Sequence, residues 1–406
     1  MKYINKVICA ASILALSGAV QAKVPMVGDV IDATNVDEYK EYILDSTVEL
    51  IKMGLVQKVT ETSSPGALDN AEYMALSRKN DGKAKILDEY GTIGLADGSP
   101  WIGGIPFLKP KSGIEVMQNY QVANIGLQGD DWSSPKGVLS PLNRLFYIDA
   151  DGEVYKNLVM AGAQINMSAR TKISPAPYIK GYDDELLRRF FVFLEPYDVR
   201  GIVTLDIQYQ DQSRLPESYV YLPSFRRVRQ VSTAQRADAV AGSQMTQSDL
   251  SGFSDPLGLW SFKILETKKM LVHTHGSVDV APYPEVVTFH NGYFANAQRP
   301  VELRDVFIIE AIPRNPDIIY GKKIMTIDVE TFRTSDFAVY DKQGALYKAF
   351  TQDWILNDEN LPRPVWLSIY NLQTKEATLS GQAFLEINQN PSLRFFDKSS
   401  MKEASR

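Results

Sequence analysis

Cysteine is almost absent from this sequence: Cys9 is the only one in 406 residues. It falls in an N-terminal stretch that reads as a removable leader. The chain beyond that stretch therefore forms no disulfides, thiolate metal sites or cysteine nucleophile. Histidine is scarce as well, with His273, His275 and His290 the only three. No second long apolar run follows the first, so nothing else reads as a membrane-spanning helix. A basic excess is missing too. Residues 1–22 hold two of the 43 basic residues and none of the 49 acidic ones, so from Lys23 onward 41 bases face 49 acids, a formal charge of −8. That balance disfavours nucleic acid as a partner. There is no Gly-x-Ser-x-Gly elbow, His-Glu-x-x-His helix, phosphate loop or dinucleotide fingerprint. The expectation is a protein that is not an enzyme and needs no cofactor.

The leader has three parts. Lys2 and Lys6 give a positive start, Val7 to Val20 a short apolar run, and Val20-Gln21-Ala22 the small residues of a cleavage site. The run is too short for a comfortable permanent span, so the expected mature chain begins at Lys23 and works in the periplasm.

What the sequence does contain is strand text. Phe and Tyr together supply 37 residues. Residues 23–143 look helical and loop-rich, with a helix expected from Asn35 to Met53, where Val36, Tyr39, Ile43, Leu50 and Ile51 recur near helical spacing. Gly and Pro punctuate residues 63–110, where little regular structure is expected. From about Arg144 to 390 short strands follow one another without helical patterns between them, so the sheet is antiparallel. Turns are expected at Asp149-Ala150-Asp151-Gly152 and Asp341-Lys342-Gln343-Gly344. Leu205, Ile207 and Tyr209 alternate with Asp206 and Gln208, and Met325, Ile327 and Val329 with Asp328 and Glu330. Each pattern implies one wet and one buried face. Residues 391–406 look like a polar tail. The expected class is mainly β with some α: a large curved antiparallel sheet or half-open β-barrel, its concave face covered by helices and loops.

Few residues suggest chemistry. His273 and His275 share a strand face and are a candidate ligand pair, with Glu285 or His290 as a third group. Zinc needs at least three ligands, and the plainer reading is two strand-end histidines with no metal. Asp130-Asp131 and Asp183-Asp184 stand in turn-like text and are expected to cap loops. Arg226, Arg227 and Arg229 make a strongly basic strand. It is either a charged edge that resists pairing or a contact for an anionic headgroup or partner. Beyond it runs a long excursion from Ser232 to Ser261, in which Thr246 and Asp249 have the spacing of a capping box.

The string Tyr221-Leu222-Pro223-Ser224-Phe225-Arg226-Arg227-Val228-Arg229, with Gly242-Ser243 and Ser248-Asp249-Leu250, resembles the outer-membrane lipoprotein-sorting-protein-like family of proteobacteria, which is related to the LolA and LolB lipoprotein carriers. Gly28-Asp29-Val30-Ile31, Asn35-Val36-Asp37 and Gly104-Ile105-Pro106-Phe107 extend the resemblance over most of the chain. Gln244, Met245 and Ser248 depart from the acidic and aromatic residues the family usually has there. The resemblance implies a half-open barrel carrying a lipid or other hydrophobic compound, often beside an inner-membrane transporter of the resistance-nodulation-division superfamily. It implies no catalytic residues. The expected ligand-binding residues, by alternation, are Phe191, Phe193, Leu205, Ile207, Tyr209, Tyr219, Tyr221, Met325, Ile327, Val329 and Trp366, sharing one apolar concavity. An envelope hydrolase acting on lipid or polysaccharide and an envelope assembly protein without ligand are the competing readings.

Overall fold

A computed structural model of the chain describes residues 23–126, 129–232, 238–250, 252–276, 289–356, 362–382 and 385–406. The leader with Cys9 and the candidate ligand Glu285 lie outside the described residues. A 17-stranded sheet dominates the fold. One meander runs through β1 (Asn143–Ile148), β2 (Val154–Asn166), β3 (Glu185–Glu195), β4 (Val203–Tyr209), β5 (Glu217–Leu222) and β6 (Arg227–Gln230). A second runs through β7 (Trp260–Val272), β8 (Arg299–Pro313), β9 (Lys322–Asp328), β10 (Thr334–Tyr340), β11 (Leu346–Leu356), β12 (Pro362–Asn371) and β13 (Glu376–Gln382). In each meander, strands adjacent in sequence pair antiparallel, and β13 pairs with β1 to join the two. Among the described residues the two meanders end on the edge strands β6 and β7, and the sheet is not closed.

The expected hairpin turns form by one device used twice. Asp149 Oδ1 accepts the backbone N–H of Asp151 and Glu153, both at 3.0 Å. Asp341 Oδ1 does the same for Gln343 and Ala345 at 3.0 and 2.8 Å. In each turn a glycine with positive φ, Gly152 or Gly344, follows the aspartate at the position L side chains avoid.

Both faces of the sheet are covered, which alternation alone does not reveal. The inner face lies under α3 (Gly113–Gly126) and the excursion between β6 and β7; Val116, Met117, Tyr120, Met245, Phe253 and Leu257 pack there on Ile309, Phe337 and Phe350. On the outer face the N-terminal segment lays Ile31, Val36, Tyr39, Leu50 and Ile51 over Phe146, Ile148, Tyr370 and Leu379. The C-terminal segment covers the other part of that face: Phe396 and Met401, both fully buried, sit on Phe190, Val192, Leu205 and Ile207. Residues 391–406 are thus a docked strap rather than a polar tail. Burial of two such side chains contributes about 1.5–3 kcal/mol each.

Other expectations change in detail. The helix over 35–53 is two 3₁₀ turns, Val36–Glu38 and Lys40–Tyr42, then α1 (Asp45–Lys52). Extended Ile43 and Leu44 break it, and Asn35 makes no side-chain cap. The punctuated stretch contains α2 (Ala71–Asn80), capped by Asn70 Oδ1 accepting from Tyr73 N at 2.9 Å. α3 opens on a glycine because a Cβ at Gly113 would stand 2.6 Å from the Phe262 carbonyl. Strand β7 is bulged between Ile264 and Glu266.

Candidate functional site

A cavity separates part of the inner face from its covering layer. It encloses about 1170 Å³ of space not filled by atoms, solvent at its mouth included. Register explains its wall. Residues directly opposite on paired strands share a face. Phe191 stands opposite Gly162 on β2 and Thr204 on β4, and Phe193 opposite Met160. With Leu145 and Leu367 these make the apolar floor. Gly162 is required there: a Cβ would lie 2.5 Å from the Phe191 ring.

One step along the strands the wall turns polar. Trp132, on the short strand Asp131–Ser133, stands opposite Gln164, Gln164 opposite Arg189, Arg189 opposite Asp206, and Asp206 opposite Ser218. This is one row across five strands on the inner face. Arg189 Nε and Nη2 donate to Gln164 Oε1 at 3.1 and 3.0 Å. Ser218 Oγ donates to Asp206 Oδ1 at 2.5 Å. Burial holds the Arg189 guanidinium below its ordinary pKa, with Asp206 opposing. The Trp132 ring packs on Phe191, centroids 6.2 Å apart.

The excursion closes the cavity from above, contributing Val240, Met245, Gln247 and Leu250. It is pinned by buried charge. Asp249 Oδ2 accepts from the Thr246 backbone N–H at 2.9 Å, within the expected capping box, and also from the Thr246 hydroxyl at 2.8 Å. Tyr320 O–H donates to the same carboxylate at 2.6 Å, and Lys323 Nζ pairs with it at 3.2 Å. Burial pushes the Asp249 pKa up, yet Lys323, Lys348 and the Tyr320 hydroxyl hold it below the ordinary value. Lys348 Nζ donates to the Gln244 carbonyl at 2.7 Å, a second pin.

The expected ligand-binding residues do not form one concavity. Phe191 and Phe193 line the cavity, and Trp366 borders it while packing on Phe146 and Phe289 of the outer layer. Leu205, Ile207, Tyr209, Tyr219 and Tyr221 point to the outer face, under Phe396 and Met401. Their strands alternate as expected, but the face of Asp206 is the cavity face. Met325 and Ile327 are on the inner face yet fully buried against Phe337, outside the cavity. Val329 lies beyond the end of β9 in a turn, half-buried. Arg227 and Arg229 sit exposed on the edge strand β6 and Arg226 in the turn before it, with φ 51°; the Arg229 guanidinium lies 4.7 Å from the Phe225 ring centroid. Trp132, Gln164, Arg189 and Asp206 were not among the expected site residues. Their signal was a polar side chain recurring at one register level in otherwise apolar strands.

The other candidate groups have structural tasks. The buried His273 accepts from Trp354 N at Nε2, 2.9 Å, and Nδ1 lies 2.7 Å from the Pro300 carbonyl. His275 Nε2 lies 3.0 Å from Ser63 Oγ and 3.5 Å from Glu302. No group of three or more His, Cys, Asp or Glu among the described residues is placed to hold a metal ion. Asp130 accepts backbone N–H groups of Thr171, Lys172 and Ile173 at 2.7, 2.6 and 2.6 Å, and Asp131 those of Gln389 and Asn390. Asp183 accepts from Gly181 N, and Asp184 pairs with Arg214.

Comparison with known proteins adds a family and a fold. A family model described as a protein of unknown function (DUF1329) matches residues 30–402. A putative outer membrane lipoprotein-sorting protein domain from Vibrio parahaemolyticus is similar in structure, with TM-score 0.50 and 20% identity over 71% of this chain and 98% of that one. A DUF1329 family protein from Desulfovibrio piger aligns with TM-score 0.48 and 15% identity, over 70% and 98% of the two chains. A LolA superfamily protein from Nitrosomonas europaea gives 0.43 and 11%, over 71% and 99%. A search of curated proteins finds no match.

Proposed function

The chain belongs to the DUF1329 family, and from that premise we propose that it is a periplasmic carrier or binding protein for a lipid or other hydrophobic ligand, serving envelope transport beside an inner-membrane transporter of the resistance-nodulation-division superfamily. The observation that carries this reading is the amphipathic cavity between the inner face of the sheet and its covering layer. An acyl chain laid on Phe191, Phe193 and Leu145 leaves water. At about 0.8 kcal/mol per methylene, a chain of roughly fourteen methylenes gains about 11 kcal/mol before the cost of association, about 4–15 kcal/mol, is subtracted. Uptake and release of such a chain requires no covalent step. Arg226, Arg227 and Arg229, at the free edge, are the proposed contact for an anionic headgroup or partner. The leader-like segment and the lack of any helix long and apolar enough to span a membrane among the described residues accord with work in the periplasm.

Titration with an environment-sensitive palmitoyl probe tests the proposal. Wild-type protein should bind at a single saturable site, and Met160→Trp, which fills the floor, should remove binding while the chain still unfolds cooperatively. Equal binding by both proteins would place the ligand elsewhere and defeat the proposal.

A further inference from the structure

The polar row across the cavity has spare donors. Trp132 is only 6% exposed, lines the cavity, and its Nε1–H has no acceptor. An unmet buried donor costs free energy, and native proteins rarely keep one without a use. Two strands along the row, the hydrogen bonds of the buried Arg189 go to Gln164 and not to a carboxylate. The acceptors of the row are turned elsewhere: Asp206 takes the Ser218 hydroxyl, and Gln164 Oε1 takes two guanidinium N–H groups. The Trp132 end of the row therefore lacks an acceptor. The row does not lack charge, because Arg189 and Asp206 balance one another across β3 and β4.

Resting on the carrier reading, we infer that the cavity recognises the carbonyl oxygen of a carboxylic ester at the head of an acyl chain, received by Trp132 Nε1–H. A bare hydrocarbon leaves the indole unpaired in a closed wall. An ionised fatty acid brings a negative charge into a row that is already neutral and already contains Asp206, and such a charge is costly to take from water. A neutral ester meets the indole N–H and adds no charge. With the carbonyl at Trp132, the chain extends onto Phe191, whose ring contacts that indole, and then onto Phe193 and Leu145. The alcohol side of the ester lies toward Asp206 and Gln247, which suits hydroxyl groups such as those of a glyceride.

Three probes with the same chain separate the possibilities: 1-palmitoylglycerol, its ether analogue 1-O-hexadecylglycerol, and palmitate at pH 8. Wild-type protein should bind the ester about fivefold or more tightly than the ether, the ratio that one net hydrogen bond gives, and palmitate more weakly than the ester. Trp132→Phe keeps a ring and removes the N–H. It should lower ester affinity to the level of the ether, and the retained ether binding shows that the variant is folded. Equal affinity of wild type for ester and ether, or equal loss of both in Trp132→Phe, would overturn the inference while leaving the carrier reading standing. Failure of wild type to bind any of the three would overturn both.

Discussion

Asp249→Asn should be among the most damaging near-isosteric changes in the molecule. Asp249 and Lys323 are both fully buried and 3.2 Å apart. Removing the carboxylate charge leaves the Lys323 ammonium inside, with Lys348, also partly desolvated, as a second cation nearby. Breaking one side of a buried pair costs about 3–5 kcal/mol. The aromatic faces of Phe253, Tyr320 and Trp260, at 5.0, 5.1 and 5.4 Å from Lys323 Nζ, attract the cation in either protein and so do not offset the loss. Lys323→Met should cost less, because the carboxylate keeps the Thr246 and Tyr320 hydrogen bonds. The double variant should lie within about 2 kcal/mol of wild type, since it leaves no unpaired buried charge at either position and the amide oxygen at 249 can still accept. Urea unfolding at pH 7 gives all four values of the cycle. Palmitoyl-probe affinity should fall in Asp249→Asn, because the unpinned excursion carries Met245, Gln247 and Leu250 of the cavity wall. A cost below about 1 kcal/mol for Asp249→Asn, or strictly additive effects in the cycle, would refute the pinning argument.

Three further outcomes are expected. Gly162→Ala should push the Phe191 ring, 2.5 Å from the new Cβ, into the cavity, reducing probe affinity at least tenfold for a stability cost of about 1–3 kcal/mol; a crystal structure with Phe191 unmoved would count against it. Ile327→Ala should cost about 2–5 kcal/mol in urea unfolding and leave probe affinity unchanged, because Ile327 is closed core rather than cavity wall. Asp69 has its pKa raised to about 6, chiefly by burial, against the attraction of Arg333. The folded state then holds the proton more tightly than the unfolded one, so this group makes stability fall as pH rises from about 4 to about 6. Asp69→Asn should flatten that fall and exceed wild type by about 1–3 kcal/mol at pH 7; a variant with an unaltered pH profile of unfolding would show that Asp69 titrates normally.

The strand succession was plain in the sequence because the turn chemistry is local: Asp149 and Asp341 bind the backbone two and four residues on, and glycine follows. Alternation in β4 also read correctly as a two-faced strand. The meaning of its faces did not, because alternation reports polarity and not what covers each face. Leu205 and Ile207 are buried under Phe396 and Met401, two apolar residues in a segment that composition marks as a tail. Asp206 read as solvent-facing, yet with Arg189 it forms the polar wall of the cavity. Cross-strand register, which no single strand contains, assembles Trp132, Gln164, Arg189, Asp206 and Ser218 into one row. α3 was hidden for a different reason. Its opening residue is Gly113, poor for helix propensity and necessary for contact with Phe262.

The central claim is that the cavity holds a hydrophobic ligand. Protein exported to the periplasm of a Gram-negative host and purified without detergent should, on solvent extraction and mass spectrometry, release an acyl lipid in near-stoichiometric amount, and Met160→Trp prepared alongside should release little. Wild-type and variant preparations that are equally free of lipid, and that both fail to take up lipid from vesicles, would contradict the account.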